Sequence, residues 1–203
     1  MAVIYLASRS PRRRELLAQI GVKFEVLLLR DGTRHDAETE EDALFGERPD
    51  DYVRRVARLK ADAAWQRVVM RRGLRRMPVL AADTTVALEG EMLAKPADAA
   101  DAARMLRLLS GERHRVLTAV AVVFGEHAEM RVSESIVTFG PLDEAIIEAY
   151  VASGEPFDKA GGYGIQGRAG AFVQRLEGSY TGVMGLPLFE TRELLREFRV
   201  TVP

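Results

Sequence analysis

Three consecutive arginines, Arg12, Arg13 and Arg14, follow Ser8, Arg9, Ser10 and Pro11 where a helix should begin. Pro11 suits a first helical position, and Glu15, Leu16, Leu17 and Ile20 continue with helical spacing. A helix amino terminus carries partial positive charge and unpaired N–H groups, so cations crowd it unfavourably unless an anion lies between them. Phosphate meets that need. The preceding run from Val3 to Ala7 reads as a short buried strand, and strand, tight turn and helix start together form a common phosphate platform. A solvated basic helix end would use the same residue types.

Asp83 lies inside the apolar run Val79, Leu80, Ala81, Ala82, Asp83, Thr84, Thr85, Val86. An unpaired buried carboxylate is costly, so the residue is expected at a strand end, facing a cleft or a cation. A turn-capping aspartate is the plainer alternative. Lys60 and Lys95 are ordinary surface lysines by default, and both are long enough to reach phosphates. The stretch Asp158, Lys159, Ala160, Gly161, Gly162, Tyr163, Gly164, Ile165, Gln166, Gly167 combines four glycines with a side-chain amide. Glycine admits close backbone approach to a ligand, and an amide donates and accepts at once, as reading a base requires. Glycine density alone also describes a mobile surface loop.

The elements that must position these groups alternate between strand-like and helix-like patterns. Strands are expected at 3–7, 23–29, 78–88 (broken at Asp83, Thr84 and Thr85), 115–124, 130–139 and 171–176. Helices are expected at 11–20, from Asp51 (with Val53, Val56, Leu59 and Ala63 on one face), at 98–109, 143–153 and 187–198. Residues 30–51 are acidic and aperiodic, which reads as a loop. This is an α/β chain with some antiparallel pairing and no internal repeat or linker.

The 203 residues are 47% apolar, ample for a substantial core, and their net charge of -1 advertises no global field for nucleic acid or an acidic membrane. Phosphate binding must therefore be local. No run resembles a signal peptide or a membrane span, so a soluble protein of the cytoplasm is expected. Cysteine is absent, which removes disulfides and thiolate catalysis, and the three histidines (35, 114, 127) have no metal-binding spacing.

The run Leu6 to Arg13, the triplet Ala82, Asp83, Thr84, the pair Lys95, Pro96, the loop Asp158 to Gly167 and the segment Gly185, Leu186, Pro187, Leu188 together resemble the Maf-like nucleoside triphosphate pyrophosphatases. Five ordered motifs spread over nearly the whole chain are far more specific than any one alone. The resemblance implies a single domain over 1–203: a two-lobed, mixed-sheet α/β fold with a central nucleotide cleft, similar to the inosine triphosphate pyrophosphatases. It also implies a homodimer that converts a nucleoside triphosphate to monophosphate and pyrophosphate with a divalent metal cation, Mg²⁺, Mn²⁺ or Co²⁺. By position, Asp83 resembles the catalytic, metal-holding aspartate; Arg12, Thr84 and Gln166 occupy base-specificity positions; Ser8, Arg13, Lys60 and Lys95 look like phosphate or cleft residues.

One branch of that family favours dTTP and UTP, while a sibling branch takes 7-methyl-GTP and carries Trp, Gln and Glu at the three specificity positions. Arg12, Thr84 and Gln166 match the first branch. A methylated guanine is cationic and suits an aromatic face and a carboxylate, whereas an arginine repels it. A non-catalytic nucleotide-binding regulator of septum formation is the reading from another class, and pyrophosphate release separates the two. The chain departs from the family at Leu29, Arg30, Asp31, Gly32, Thr33, where an Asp-Glu pair is usual. Asp31 and Asp36 are the candidates for a second metal-binding carboxylate. Since a carboxylate is a weak base at neutral pH, Asp83 is expected to hold a metal or orient water as much as to take a proton.

Overall fold

The computed structural model describes residues 3–28 and 42–202. Asp31 and Asp36 lie outside the described residues. Chain order is β1 (Ile4–Leu6), α1 (Pro11–Gln19), β2 (Phe24–Val26), α2 (Pro49–Met70), β3 (Val79–Leu88), β4 (Glu91–Leu93), α3 (Ala99–Leu109), β5 (Arg113–Phe124), β6 (His127–Phe139), α4 (Glu144–Ala152), β7 (Val173–Glu177), α5 (Tyr180–Met184) and α6 (Leu188–Glu197), with 3₁₀ turns at Glu155–Asp158, Ala160–Gly162 and Arg168–Phe172.

One mixed sheet carries the molecule, in the order β2-β1-β3-β5-β6-β7, with β4 pairing β3 beyond the reach of β1. β1 runs parallel to both β2 and β3, and the remaining pairs are antiparallel. The α/β mixed-sheet expectation holds. β1 and the first half of β3 are buried without alternation, as strands covered on both faces must be. The cover is α2 on one face, and α1, α5 and α6 on the other.

α2 begins with Pro49 in its first turn, and Asp50 and Asp51 there complement the positive end of the helix. Its buried stripe is Val53, Val56, Ala57, Ala61, Ala64, Trp65 and Val68; Leu59 and Ala63, expected on that face, are only half-buried. The stripe passes through small alanines, which let the helix lie close against β3 and β5.

The long strands β3, β5 and β6 extend beyond this sandwich into a second cluster. There Val86, Val116, Val137 and Phe139 pack with Met105, Leu106 and Leu109 of α3, Ile147 and Tyr150 of α4, and Tyr163. The two lobes therefore share strands, and the cleft lies where the covering elements change. Asp83 and Thr84 fall at that change, in the middle of β3, which is continuous through both. The expected break in the strand is absent because the register with β5 runs unbroken from Val79↔Val123 to Ala87↔Arg115. The strands expected at 115–124 and 130–139 both begin earlier: a tight turn at Gly125 and Glu126 pairs Phe124 with His127 at one end, and the ladder continues to Arg113↔Thr138 at the other.

Candidate functional site

A cleft of about 430 Å³ opens between the start of α1, the middle of β3 and the glycine-rich loop, within the usual range for a small-molecule site. The candidate site residues among the described ones all line it: Ser8, Arg12, Arg13, Lys60, Asp83, Thr84, Lys95 and Gln166. Arg9 and Lys159 line it too, so six cationic side chains face two carboxylates, Asp83 and Asp158.

Asp83 is 7% exposed, and its position corrects the expectation of a strand end. It is mid-strand because the cleft crosses the sheet there, rather than at a carboxyl edge. Lys60 on α2 reaches across to donate to Oδ1 at 2.8 Å, with both side chains largely out of solvent. Oδ2 is buried and accepts from no group among the described residues. An orphaned carboxylate oxygen in a cationic cleft is unsatisfied by the fold alone, and so is available to a cation, a water or a proton.

Ser10 caps α1 by accepting from Arg13 N at 3.4 Å, and Ser8 Oγ accepts from Ser10 N at 3.2 Å. The three arginines then diverge. Arg14 turns away to the Arg9 carbonyl (2.9 Å) and does not line the cleft. Arg12 reaches across it to Asp158 at 3.7 Å. Arg13 donates from Nε to the Gly185 carbonyl at 2.7 Å and from Nη2 to Thr84 Oγ1 at 3.2 Å. Protein acceptors thus hold all three of the arginines that were expected to await an anion.

The glycine loop is a packed structure. Gly161 adopts φ +68°, and a Cβ there would sit 3.0 Å from three carbons of Val86, so only glycine lets the loop press onto β3. Tyr163 is buried, and its hydroxyl meets His114 Nε2 at 2.8 Å. Burial holds the His114 pKa down at about 4, the Glu112 backbone offsetting this only in part. Behind the turn that carries Gln166, Tyr150 Oη accepts from Gly164 N (3.3 Å) and donates to Glu155 Oε1 (3.0 Å), while Glu155 Oε2 accepts from Arg168 N (3.1 Å). Burial first, and then the Glu155 charge, push the Tyr150 hydroxyl pKa well up, so it serves as a donor. Gln166 itself is exposed at the mouth.

Asp158 and Lys159 are ion-paired, and Lys159 also donates to the Glu155 carbonyl at 2.5 Å. Burial alone would raise the Asp158 pKa; Lys159 and then Arg12 outweigh it and hold the carboxyl below its ordinary value. Sequence reasoning left out Arg9, Lys159, Tyr150 and Glu155. The first two sit inside the quoted motifs and could have been taken with them; the tyrosine and the glutamate show no signal without the fold.

Among the described residues no group of three or more His, Cys, Asp or Glu side chains could hold a metal, and no helix is long and apolar enough to cross a membrane. A family model described as Maf-like protein matches residues 3–198. The "dTTP/UTP pyrophosphatase" of Ralstonia nicotianae is 60% identical over 200 residues, covering 98% of this chain and 95% of its own. Proteins of the same name from Dechloromonas aromatica (58% identical; 95% and 96% covered) and Nitrosomonas europaea (50%; 98% and 96%) are similar over the same extent. A solved structure, that of the Staphylococcus aureus Ham1 protein, is 17% identical over 67% of this chain and 71% of its own, with a TM-score of 0.45.

Proposed function

The chain belongs to the Maf-like protein family, and from that membership and the chemistry of the cleft we infer that it hydrolyses dTTP and UTP to the monophosphate and pyrophosphate. One observation carries the chemical side of this: six cationic side chains line the cleft that holds Asp83, whose second oxygen has no hydrogen-bond partner among the described residues. A triphosphate supplies the negative charge that such a cleft lacks.

In the reaction a water oxygen bonds to the α-phosphorus, the bond from that phosphorus to the bridging oxygen of the β-phosphate breaks, and pyrophosphate leaves. Catalysis of this kind is mostly positioning and neutralisation of charge. Lys60 holds Asp83 Oδ1, so that Oδ2 is left to orient the water and take its proton. Arg13, Lys95 and Lys159 neutralise the phosphates, and Ser8 adds a hydroxyl beside them.

The orphaned Asp83 Oδ2 also fits a divalent cation, Mg²⁺, Mn²⁺ or Co²⁺. With no cluster of further ligands among the described residues, Asp83 would hold it jointly with phosphate oxygens of the substrate, the usual arrangement for Mg²⁺. Such a cation supplies charge neutralisation at the phosphates and makes a nearby water more acidic.

Gln166 at the cleft mouth complements the edge of a thymine or uracil, which presents acceptor, donor and acceptor in turn, by giving one donor and taking one. Arg12 beside it disfavours a cationic methylated guanine. The family resemblance further suggests a homodimer in the cytoplasm, which light scattering and fractionation test. The deciding experiment incubates the protein with dTTP, UTP, CTP, GTP and 7-methyl-GTP and each divalent metal, then identifies products. Monophosphate and pyrophosphate from dTTP and UTP are expected; diphosphate and phosphate, or binding without turnover, would refute the assignment.

A further inference from the structure

Thr118 does not line the cleft and is completely buried on β5, opposite Thr84 in the sheet register. Its hydroxyl lies 2.8 Å from the Gly182 carbonyl and 2.9 Å from Thr84 Oγ1. A carbonyl only accepts, so the single Thr118 proton goes to Gly182. Thr84 must then be the donor in the threonine pair. A guanidinium only donates, so Thr84 accepts from Arg13 Nη2. Every proton in the chain Arg13, Thr84, Thr118, Gly182 is assigned by counting.

The chain also closes on itself. Gly185 N donates to the Gly182 carbonyl at 2.9 Å, and the Gly185 carbonyl takes Arg13 Nε at 2.7 Å. The end of α5 thereby grips both ends of the network, and Thr118 alone decides which way the Thr84 hydroxyl points. A threonine with its proton committed offers the cleft a lone pair and nothing else. It repels a phosphate oxygen and suits a donor, such as the N3–H of a uracil; cytosine has an acceptor at N3.

We propose that Thr118 is a positioning residue that fixes the Thr84 hydroxyl as an acceptor toward the cleft and so holds Arg13 and the base preference in place. This rests on the assignment of Thr84 to base specificity and of Arg13 to phosphate. The test is steady-state kinetics with UTP and CTP on Thr118→Val, Thr118→Ser, Thr84→Val and the Thr84→Val/Thr118→Val pair. Valine is nearly isosteric, and the Gly182 carbonyl keeps its bond from Gly185, so the fold should survive; Thr118→Ala carries the same comparison if it does not.

Thr118→Val should lose about 5- to 30-fold in kcat/KM for UTP, the effect of one hydrogen bond, and its preference for UTP over CTP should shrink. Thr118→Ser should recover both. The double variant should be no worse than Thr84→Val, since Thr118 acts through Thr84. A serine variant as impaired as the valine one, an unchanged base preference in Thr118→Val, or losses that multiply in the double variant would overturn the inference. An impaired Thr84→Val beside an unimpaired Thr118→Val overturns it alone. Wild-type kinetics in Thr84→Val remove the specificity assignment and the inference with it.

Discussion

Lys60 Nζ lies 2.8 Å from Asp83 Oδ1, joining the helix that covers one sheet face to the strand at the centre of the sheet. The two side chains are 15% and 10% exposed, so the pair works in a partly dry setting where orientation is held firmly. A lysine on one oxygen leaves the other as the group the cleft can use. This splits the carboxylate into a structural half and a chemical half.

Replacing Asp83 by asparagine keeps the shape and an acceptor for Lys60 but puts an amide where the orphaned oxygen was. A loss of about 10² or more in kcat is expected, with the fold kept. Steady-state turnover of dTTP checks it, and activity within a few fold of wild type would remove Asp83 from the chemistry.

Lys60→Met leaves the buried Asp83 carboxylate without its contacting cation. Breaking a fully buried pair costs about 3–5 kcal/mol, and the residual exposure here reduces that to about 2–3 kcal/mol. Adding Asp83→Asn to Lys60→Met should restore part of the loss, because the stranded charge is then gone. Urea unfolding of the single and double variants measures this, and additive losses would show that the two side chains are not coupled.

What could be read from the chain were the features written locally. Pro11 and the Leu16, Leu17 pair mark α1, Asp98 and Asp143 cap α3 and α4, and the apolar residues on either side of Asp83, Thr84 and Thr85 mark β3. β4 has three residues and α5 five, too short to show a period, and α5 is bracketed by Gly178 and Gly185 so that it looks like loop. Asp83 was misplaced for a physical reason: desolvation argues for a strand end unless another element brings a partner, and α2 supplies Lys60 from 23 residues away. Thr118 stands in the apolar run of β5 and acquires meaning only from Thr84 across the sheet. Roles that arise from pairing between distant segments leave no local trace.

His114 makes stability depend on pH. Its folded-state pKa of about 4 lies below the ordinary 6.5, so the neutral form is favoured in the fold, and this contribution is complete above about pH 6.5. It is lost as pH falls from 6.5 toward 4, by roughly 3 kcal/mol in all. His114→Gln, which still offers Tyr163 a polar partner, should flatten the unfolding free energy across that window. Parallel profiles for the two proteins would show that other groups set the acid limit.

Arg13→Ala should weaken triphosphate turnover, and the structure changes what it does to stability. Charge at the start of α1 alone argues for relief of up to about 1 kcal/mol on removing a cation. The bonds to the Gly185 carbonyl and Thr84 work in the opposite direction, each worth roughly 1 kcal/mol. A melting temperature slightly below wild type is therefore expected, with kcat/KM for dTTP falling far more than stability. Intact catalysis with a large loss of stability would make Arg13 structural only.

Gln166 stands on a turn closed by Gly167 N donating to the Gly164 carbonyl at 2.9 Å, and the Tyr150 and Glu155 side chains hold Gly164 N and Arg168 N from behind. The backbone is thus fixed on both sides of an exposed amide, so Gln166→Glu should alter chemistry without moving the loop. The substitution removes the donor to a pyrimidine carbonyl and aims an acceptor at it, at a cost of about 1–3 kcal/mol in transition-state binding. That is about 10- to 200-fold in kcat/KM for dTTP and UTP. CTP presents an amino donor in place of that carbonyl, so its turnover should fall less or rise, and the ratio of dTTP to CTP should shrink. Asp83 is untouched, so kcat should change less than kcat/KM on any accepted substrate. Kinetics with dTTP, UTP, CTP and GTP decide it: an equal loss on all four would mean that Gln166 supports the turn and does not read the base.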